Sequence, residues 1–323
     1  MWNLLHRLGL AACLMLASVS VFAAEAYPVK PLRMISLLPP GPDAFIRVIA
    51  QRLGEQLGQP VVVESRVGGR GVPAAHAVIN APPDGHTVLF YTVVLIISKS
   101  IQPDLAFDPV ADFAPVAKVY GGGASILVVR PDSEFKTPQA LIERTRAMPG
   151  KVTHGGVLGL SGHLNAASFL ALAGVKGFHI PFKATGDDLP AILRGDIDFT
   201  FQASTLSIPH IVSGKFRALA VTSGERMRLL PDVPTLKEVL NNDLMVQDNW
   251  SGFAMHAKTP PAIVRRLNAE TPRLLQDAAV RKVLEAGGNI ISGEETPEQF
   301  GQFMQREFSK WREIVKLTGV KVI

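Results

Sequence analysis

The stretch Gly159-Leu160-Ser161-Gly162-His163 is where this chain comes nearest to a catalytic motif. A nucleophile elbow sets a strained serine between glycines and needs a histidine and an acid elsewhere in the fold. Here His163 stands in the place of the closing glycine, and no order of Ser, His and Asp along the chain supports a triad. A reading without catalysis fits better: glycines soften a loop that opens a helix, whose free backbone N–H groups hold a carboxylate. No catalytic residue is assigned. Gly69-Arg70-Gly71-Val72-Pro73-Ala74 fits a permissive dinucleotide fingerprint, after a strand and before a short helix. No acidic residue ends the next strand, Thr87 to Tyr91, to hold a ribose, so a close backbone turn is expected and no cofactor. The eight histidines contain no His-Glu-x-x-His, and His154 with His163 lack the one-turn spacing of two ligands on one helical face, so no metal is expected. His179 reads as a core or hinge residue, and His76 as a solvated one.

These loops need elements to hold them. Leu32 to Leu38 is an apolar run ending in Pro39-Pro40-Gly41-Pro42, which predicts a buried strand delivered into a turn. Asp43 stands where a helix N-cap belongs, Phe45, Val48, Ile49, Leu53 and Leu57 share one helical face, and Gly58 stops the helix. Pro60 to Val63 predicts the next strand, 73–80 a short helix, and 87–97 a further strand. A second alternating series predicts strands at 126–129, 151–154, 178–181, 197–201 and 218–222, with helices at 137–148, 161–173 and 186–194. The closing region predicts a strand at 250–255, a helix from Pro260, another ending at Gly287-Gly288 and a long helix over 297–317. Such alternation implies an α/β fold with a mainly parallel sheet. The C-terminal helices are expected to cover the first sheet. That gives a discontinuous lobe 1 at 27–123 and 227–323, an inserted lobe 2 at 124–226, and crossings near 123 and 226.

The N-terminus bounds the setting. Arg7 is followed by an apolar run from Leu8 to Phe22, then by small residues at Ala23, Ala24 and Ala26, the pattern of a cleaved signal peptide over 1–26. The run falls short of the roughly 20 residues that span a bilayer. Leu10-Ala11-Ala12-Cys13 resembles a lipoprotein box, but only Leu8 to Ala12 would remain as its apolar segment. Cys13 is the single cysteine, so the mature chain has no thiol nucleophile and no disulfide. The expected location is the periplasm. With 33 Lys and Arg against 28 Asp and Glu the net charge is +5, a mild bias towards anionic ligands. Basic residues are scattered and aromatic residues few, so nucleic acid is not an expected partner.

Several phrases together resemble the Bug-type receptors, the periplasmic solute-binding component of tripartite tricarboxylate transporters. They are Tyr27-Pro28 with Lys30-Pro31-Leu32-Arg33, Pro39-Pro40-Gly41, Ala81-Pro82-Pro83-Asp84-Gly85, and Phe107-Asp108-Pro109 with Asp112-Phe113-Ala114-Pro115-Val116. Further on come His179-Ile180-Pro181-Phe182-Lys183, Arg217-Ala218-Leu219-Ala220-Val221-Thr222-Ser223, Pro231-Asp232-Val233-Pro234-Thr235 and Trp250-Ser251-Gly252. The resemblance implies a two-lobed periplasmic-binding-protein fold of type II, with a cleft that closes on a small organic acid and passes it to membrane permease subunits. A monomer is expected. A ligand sensor that reports to a membrane kinase without feeding transport is the alternative.

Three segments carry the site if the family pattern holds. The first is the loop of Pro40, Gly41 and Asp43, with Arg47 at the family's spacing from Asp43. The second is the turn of Gly69, Arg70 and Gly71, and the third is Gly159, Leu160, Ser161 and His163, supported by Thr185. The chain departs from the family in these same loops. The first is two residues shorter, with Pro42 in place of a glycine; Arg70 and Ala74 replace glycines; Val157 replaces a glycine, and Leu160 a Ser or Thr hydroxyl. Losing that donor costs on the order of 1 to 3 kcal/mol for a carboxylate. The change implies either a less polar acid, aromatic or branched, or a receptor that no longer binds the usual ligands.

Overall fold

The computed structural model describes residues 27–286, 288–292 and 295–321; the segment read as an export tag, with Cys13, lies outside them. In chain order the strands are β1 (Leu32–Ser36), β2 (Val61–Ser65), β3 (Thr87–Thr92), β4 (Phe113–Gly123), β5 (Ser125–Val129), β6 (Thr153–Val157), β7 (Phe178–Phe182), β8 (Thr200–Ala203), β9 (Arg217–Val221), β10 (Asn249–His256) and β11 (Ile290–Ile291). The α-helices are α1 (Ala44–Leu57), α2 (Val72–Ile79), α3 (Val93–Ile101), α4 (Pro138–Ala147), α5 (Ser161–Leu172), α6 (Asp188–Arg194), α7 (Ser204–Val212), α8 (Leu236–Leu240), α9 (Pro261–Gln276), α10 (Ala278–Glu285) and α11 (Pro297–Thr318).

The larger sheet has the order β11-β4-β10-β3-β1-β2. Successive strand residues point to opposite faces, and here both faces are apolar. Leu32, Met34, Val88 and Phe90 face a core closed by α1, α9 and α10. Ile35, Leu89, Tyr91 and Trp250 face another, closed by α2, α3 and α11. Helix α11 is fixed at its start by a capping box of Thr296 and Gln299, and it buries Phe300, Met304, Trp311 and Ile314. The C-terminal helices therefore pack on the first sheet. A smaller sheet, β8-β5-β9, and a parallel pair, β6 and β7, form the second body of strands. They are joined where the Gly155 N–H donates to the Phe199 carbonyl at 3.1 Å.

Three expectations need correction. The sheet is mixed: β1 pairs with β2 and β3 in parallel, but β10 runs antiparallel to β3 and β4, and β5 runs antiparallel to β8 and β9. Strand β10 runs in the opposite sense through the sheet's middle, between β3 and β4, a strand that the sequence reading did not resolve. The apolar run expected as one strand over 87–97 breaks after Thr92 into helix α3. Helix α3 is buried around most of its circumference, so no polar stripe marks its period, and a short apolar run of that kind does not distinguish helix from strand. Finally, residues 227–246 pack with the smaller sheets. Leu236 and Met245 lie with Phe169 and Phe199, and Met227 with Ile126 and Val221. The Gln247 N–H donates to the Thr222 carbonyl at 2.9 Å, and the chain rejoins the large sheet only with β10.

Candidate ligand-binding site

The first loop is built around one carboxylate. Ser36 ends β1 and its hydroxyl accepts the Leu38 N–H at 3.0 Å. Asp43 is fully buried. Its Oδ1 accepts the Gly41 N–H at 3.1 Å, and its Oδ2 accepts Arg47 Nη2 at 2.7 Å and the Ser65 hydroxyl at 3.1 Å. Asp43 occupies the N-cap position of α1, yet its side chain caps no N–H of that helix. It fastens the loop backwards, and through Ser65 it ties the loop to the end of β2. Burial raises the Asp43 carboxyl, but the hydrogen bonds from Arg47, Ser65 and Gly41 outweigh it and hold the group below the usual carboxylate range. Expected as a ligand contact, Asp43 is instead engaged inside the protein, as is the Gly41 N–H. Pro40 and Gly41 are exposed.

The second turn is wound left-handed through four residues, with φ of 90° at Gly68, 48° at Gly69, 53° at Arg70 and 87° at Gly71. Glycine adopts this region freely, whereas the arginine is strained by about 1 kcal/mol. A Cβ on Gly71 would stand 2.6 Å from Leu37 Cδ2 and 2.7 Å from Leu95 Cδ2. The turn is thus pressed between the first loop and α3, and only glycine fits. The Arg70 carbonyl accepts the Ser98 hydroxyl at 2.9 Å. Burial pulls the Arg70 guanidinium below its ordinary value, though an arginine keeps its charge at neutral pH. Among the described residues no carboxylate pairs with it.

The third loop leaves β6 and enters α5. Gly159 has φ of 75°, and Leu160 is the N-cap residue in an extended conformation with no side-chain cap. A Cβ on Gly162 would stand 2.8 Å from the Phe201 carbonyl oxygen, so the first turn of α5 lies directly on β8. His163 Nδ1 accepts the Gly159 N–H at 3.1 Å. In the neutral ring that places the proton on Nε2. The ring is buried and stacks on His179 with centroids 3.8 Å apart at 21°, with His154 at 6.1 Å. His179 Nε2 lies 3.0 Å from the Gly156 carbonyl oxygen, as donor. Burial, followed by the neighbouring rings, pulls His163 down to about 3 and His154 to about 4; burial also lowers His179. His163 therefore holds the loop from within, where a direct ligand contact was expected. Ser161 is half-buried, and the His163 nitrogen beside the loop takes a backbone N–H where a triad would present the serine hydroxyl. Thr185 is exposed on the loop before α6, where Asp187 Oδ2 accepts the Ala184 N–H at 3.0 Å.

The first and second loops are thus brought into contact through Leu37 and Gly71. The third is presented by a helix that docks on the large sheet's core through Leu164. Among the described residues no hydrogen bond joins the third loop to the other two. Sequence reasoning missed Ser65 and the stacked histidines as loop supports. The spacing of Gly159 and His163, four residues apart at a helix start, was the available signal, since a side chain in the first turn can reach back to such an N–H.

The profile of the tripartite tricarboxylate transporter family receptors matches residues 45–320. This chain belongs to that receptor family. The receptor is 33% identical to protein BugT of Bordetella pertussis over 307 residues, covering 93% of each chain. In structure it is similar to MatC from Rhodopseudomonas palustris with bound malate, at a TM-score of 0.76 and 27% identity, covering 90% of this receptor and all (100%) of that chain. It is also similar to R. palustris Rpa4515 with adipate, at a TM-score of 0.79 and 26% identity, covering 92% and 100%. The fold is that of the α/β periplasmic binding proteins, and the family is one of solute-binding proteins. Among the described residues no helix of the receptor is long and apolar enough to cross a membrane.

Proposed function

We propose that this receptor is exported by its N-terminal segment, captures a small organic acid between two lobes, and delivers it to the permease subunits of a tripartite tricarboxylate-type transporter. Lobe 1 comprises residues 27–123 and the C-terminal part of the chain, with lobe 2 inserted between them. The packing of 227–246 supports a second crossing near 248 in place of 226. The three loops form the solute site, with Gly69, Arg70, Gly71, Gly159, Leu160 and Ser161 as its central contacts, and Pro40, Gly41 and Thr185 at its rim. Asp43 and His163 act from behind.

Arg70 carries this reading. A half-buried guanidinium with no described carboxylate beside it, held in a strained turn against the first loop, attracts an external carboxylate. The malate and adipate of the two structural relatives support the same class of solute. The test is a thermal-shift panel of mono-, di- and tricarboxylates against the parent and Arg70→Gln, since a ligand that binds only the folded state raises the melting temperature. At least one acid is expected to stabilise the parent, with affinity at least tenfold weaker in Arg70→Gln. Silence across the panel would sink the carboxylate reading; equal binding by the variant would remove Arg70 from the site.

A further inference from the structure

We propose that His163 is the positioning residue of the third solute loop: its imidazole, neutral and stacked on His179, fixes the backbone from Gly156 to Ser161 in the shape that meets the solute, and acid releases it.

The geometry carries this directly. His163 Nδ1 takes the Gly159 N–H at 3.1 Å, and His179 holds the Gly156 carbonyl at 3.0 Å. The two ends of the loop's turn are therefore gripped by two rings that face each other at 3.8 Å. Gly156, at φ of 141°, also lies so close that a Cβ there would stand 3.0 Å from the His163 backbone nitrogen. A proton on His163 Nδ1 replaces an acceptor with a donor facing another donor, so the Gly159 N–H loses its partner and the loop loses its anchor. No nearby charge compensates such a proton. Strand β6 contributes His154, and β7 contributes His179. Helix α6 contributes Asp188, whose Oδ2 lies 3.1 Å from where a Cβ on Gly155 would be, but that carboxylate is engaged by Thr200 and Gln202. Asp198, before β8, is engaged by Thr153, and Phe199 and Phe201 are apolar. On the far flank of α5, α11 brings Glu307 and Lys310, which pair with each other. A merely structural core histidine would do as well with any ring of its size. This one must present an acceptor at the Nδ1 position.

The role in binding rests on the third loop being part of the proposed solute site, so the experiment reads the loop itself as well as the solute. In the 15N-labelled mature chain at neutral pH, the hydrogen-bond coupling between the Gly159 nitrogen and His163 Nδ1 is measured, together with amide exchange across 156–163. His163→Asn, which keeps an acceptor where Nδ1 stood, is expected to hold Gly159 exchange within about twofold of the parent. His163→Phe is expected to speed it at least tenfold relative to amides in α11 and to weaken adipate or malate binding by a similar factor. If His163→Phe does not fold, His163→Gln, whose polar end lies at the Nε2 position, is expected to give the same loss. In the parent, the coupling is expected to vanish on acidification before the amides of α11 lose protection. Absence of the coupling at neutral pH overturns the proposal, as does a His163→Asn variant as loose as His163→Phe. A coupling and an Asn rescue without binding of any carboxylate would uphold the positioning of the loop and overturn the solute assignment alone.

Discussion

The first and third loops solve the same problem with opposite chemistry. Both are glycine-bearing turns between a strand and a helix, and both are held by a side chain near the helix start. In the first, the holder is an ionised Asp43 that collects Gly41, Arg47 and Ser65. In the third, it is a neutral His163 against neutral His179. A charged knot resists acid until its carboxylate is protonated, whereas a neutral imidazole stack is disfavoured as soon as the unfolded histidines begin to charge. The two loops should therefore fail at different pH.

The largest expected effect follows from that contrast. His163 and His154 are lowered from 6.5 to about 3 and about 4, so the folded chain binds fewer protons than the unfolded one between these values. Stability is fully present above about 6.5 and is lost as pH falls, by up to about 1.4 kcal/mol per unit for each group. Asp43 has its pKa lowered below 3.8, so its contribution persists above 3.8 and declines only further down. Urea denaturation between pH 7 and 4.5 is expected to show a steep loss that His163→Asn makes shallower and Asp43→Asn leaves unchanged in slope. A flat profile in the parent would end the comparison.

Next comes Asp43→Ala at pH 7, which leaves the Gly41 N–H and Ser65 hydroxyl without an acceptor and Arg47 without its partner. A loss of about 3 kcal/mol is expected in urea denaturation. Arg47 is half-exposed and Gly41 exposed, so water recovers part of both contacts, and the larger share belongs to the half-buried Ser65 hydroxyl and to the packing around the buried Asp43 side chain. A loss below about 1 kcal/mol would mean that the first loop does not depend on its charge.

What sequence alone disclosed follows the same division. The first loop was legible because its parts are local: the Pro-Gly turn, the aspartate at the helix start and Gly58, left-handed at the helix end with φ of 70°, lie within one short stretch. The long C-terminal helix was legible for the same reason, since Thr296, Pro297 and Gln299 mark its start. Arg70 was visible as a departure, but its lack of an internal partner depends on distant chain. The His163 and His179 stack was not legible, because the rings are 16 residues apart by number and meet only when β6 and β7 pair in parallel with His154 opposite His179. Strand β4 escaped because its partners β10 and β11 come more than a hundred residues later.

The smallest effect sharpens the comparison at the third loop's own entrance. Leu160 sits at the N-cap of α5 in an extended conformation, where Ser, Thr, Asp or Asn would accept an N–H of the first turn. Leu160→Ser is expected to stabilise the fold by about 1 kcal/mol, read as a higher urea midpoint. The same hydroxyl can serve a solute carboxylate, and it cannot fully serve both. If the serine caps the helix, stability rises and carboxylate affinity stays level, because those N–H groups are then less available to an anion. If it turns to the solute, affinity rises and stability does not. Leu160→Asp separates the two outcomes, since it keeps the cap and repels the acid: stability is expected to rise while carboxylate binding disappears. Unchanged binding in Leu160→Asp would take the third loop out of the solute site and leave the His163 grip as a purely structural fastening of α5.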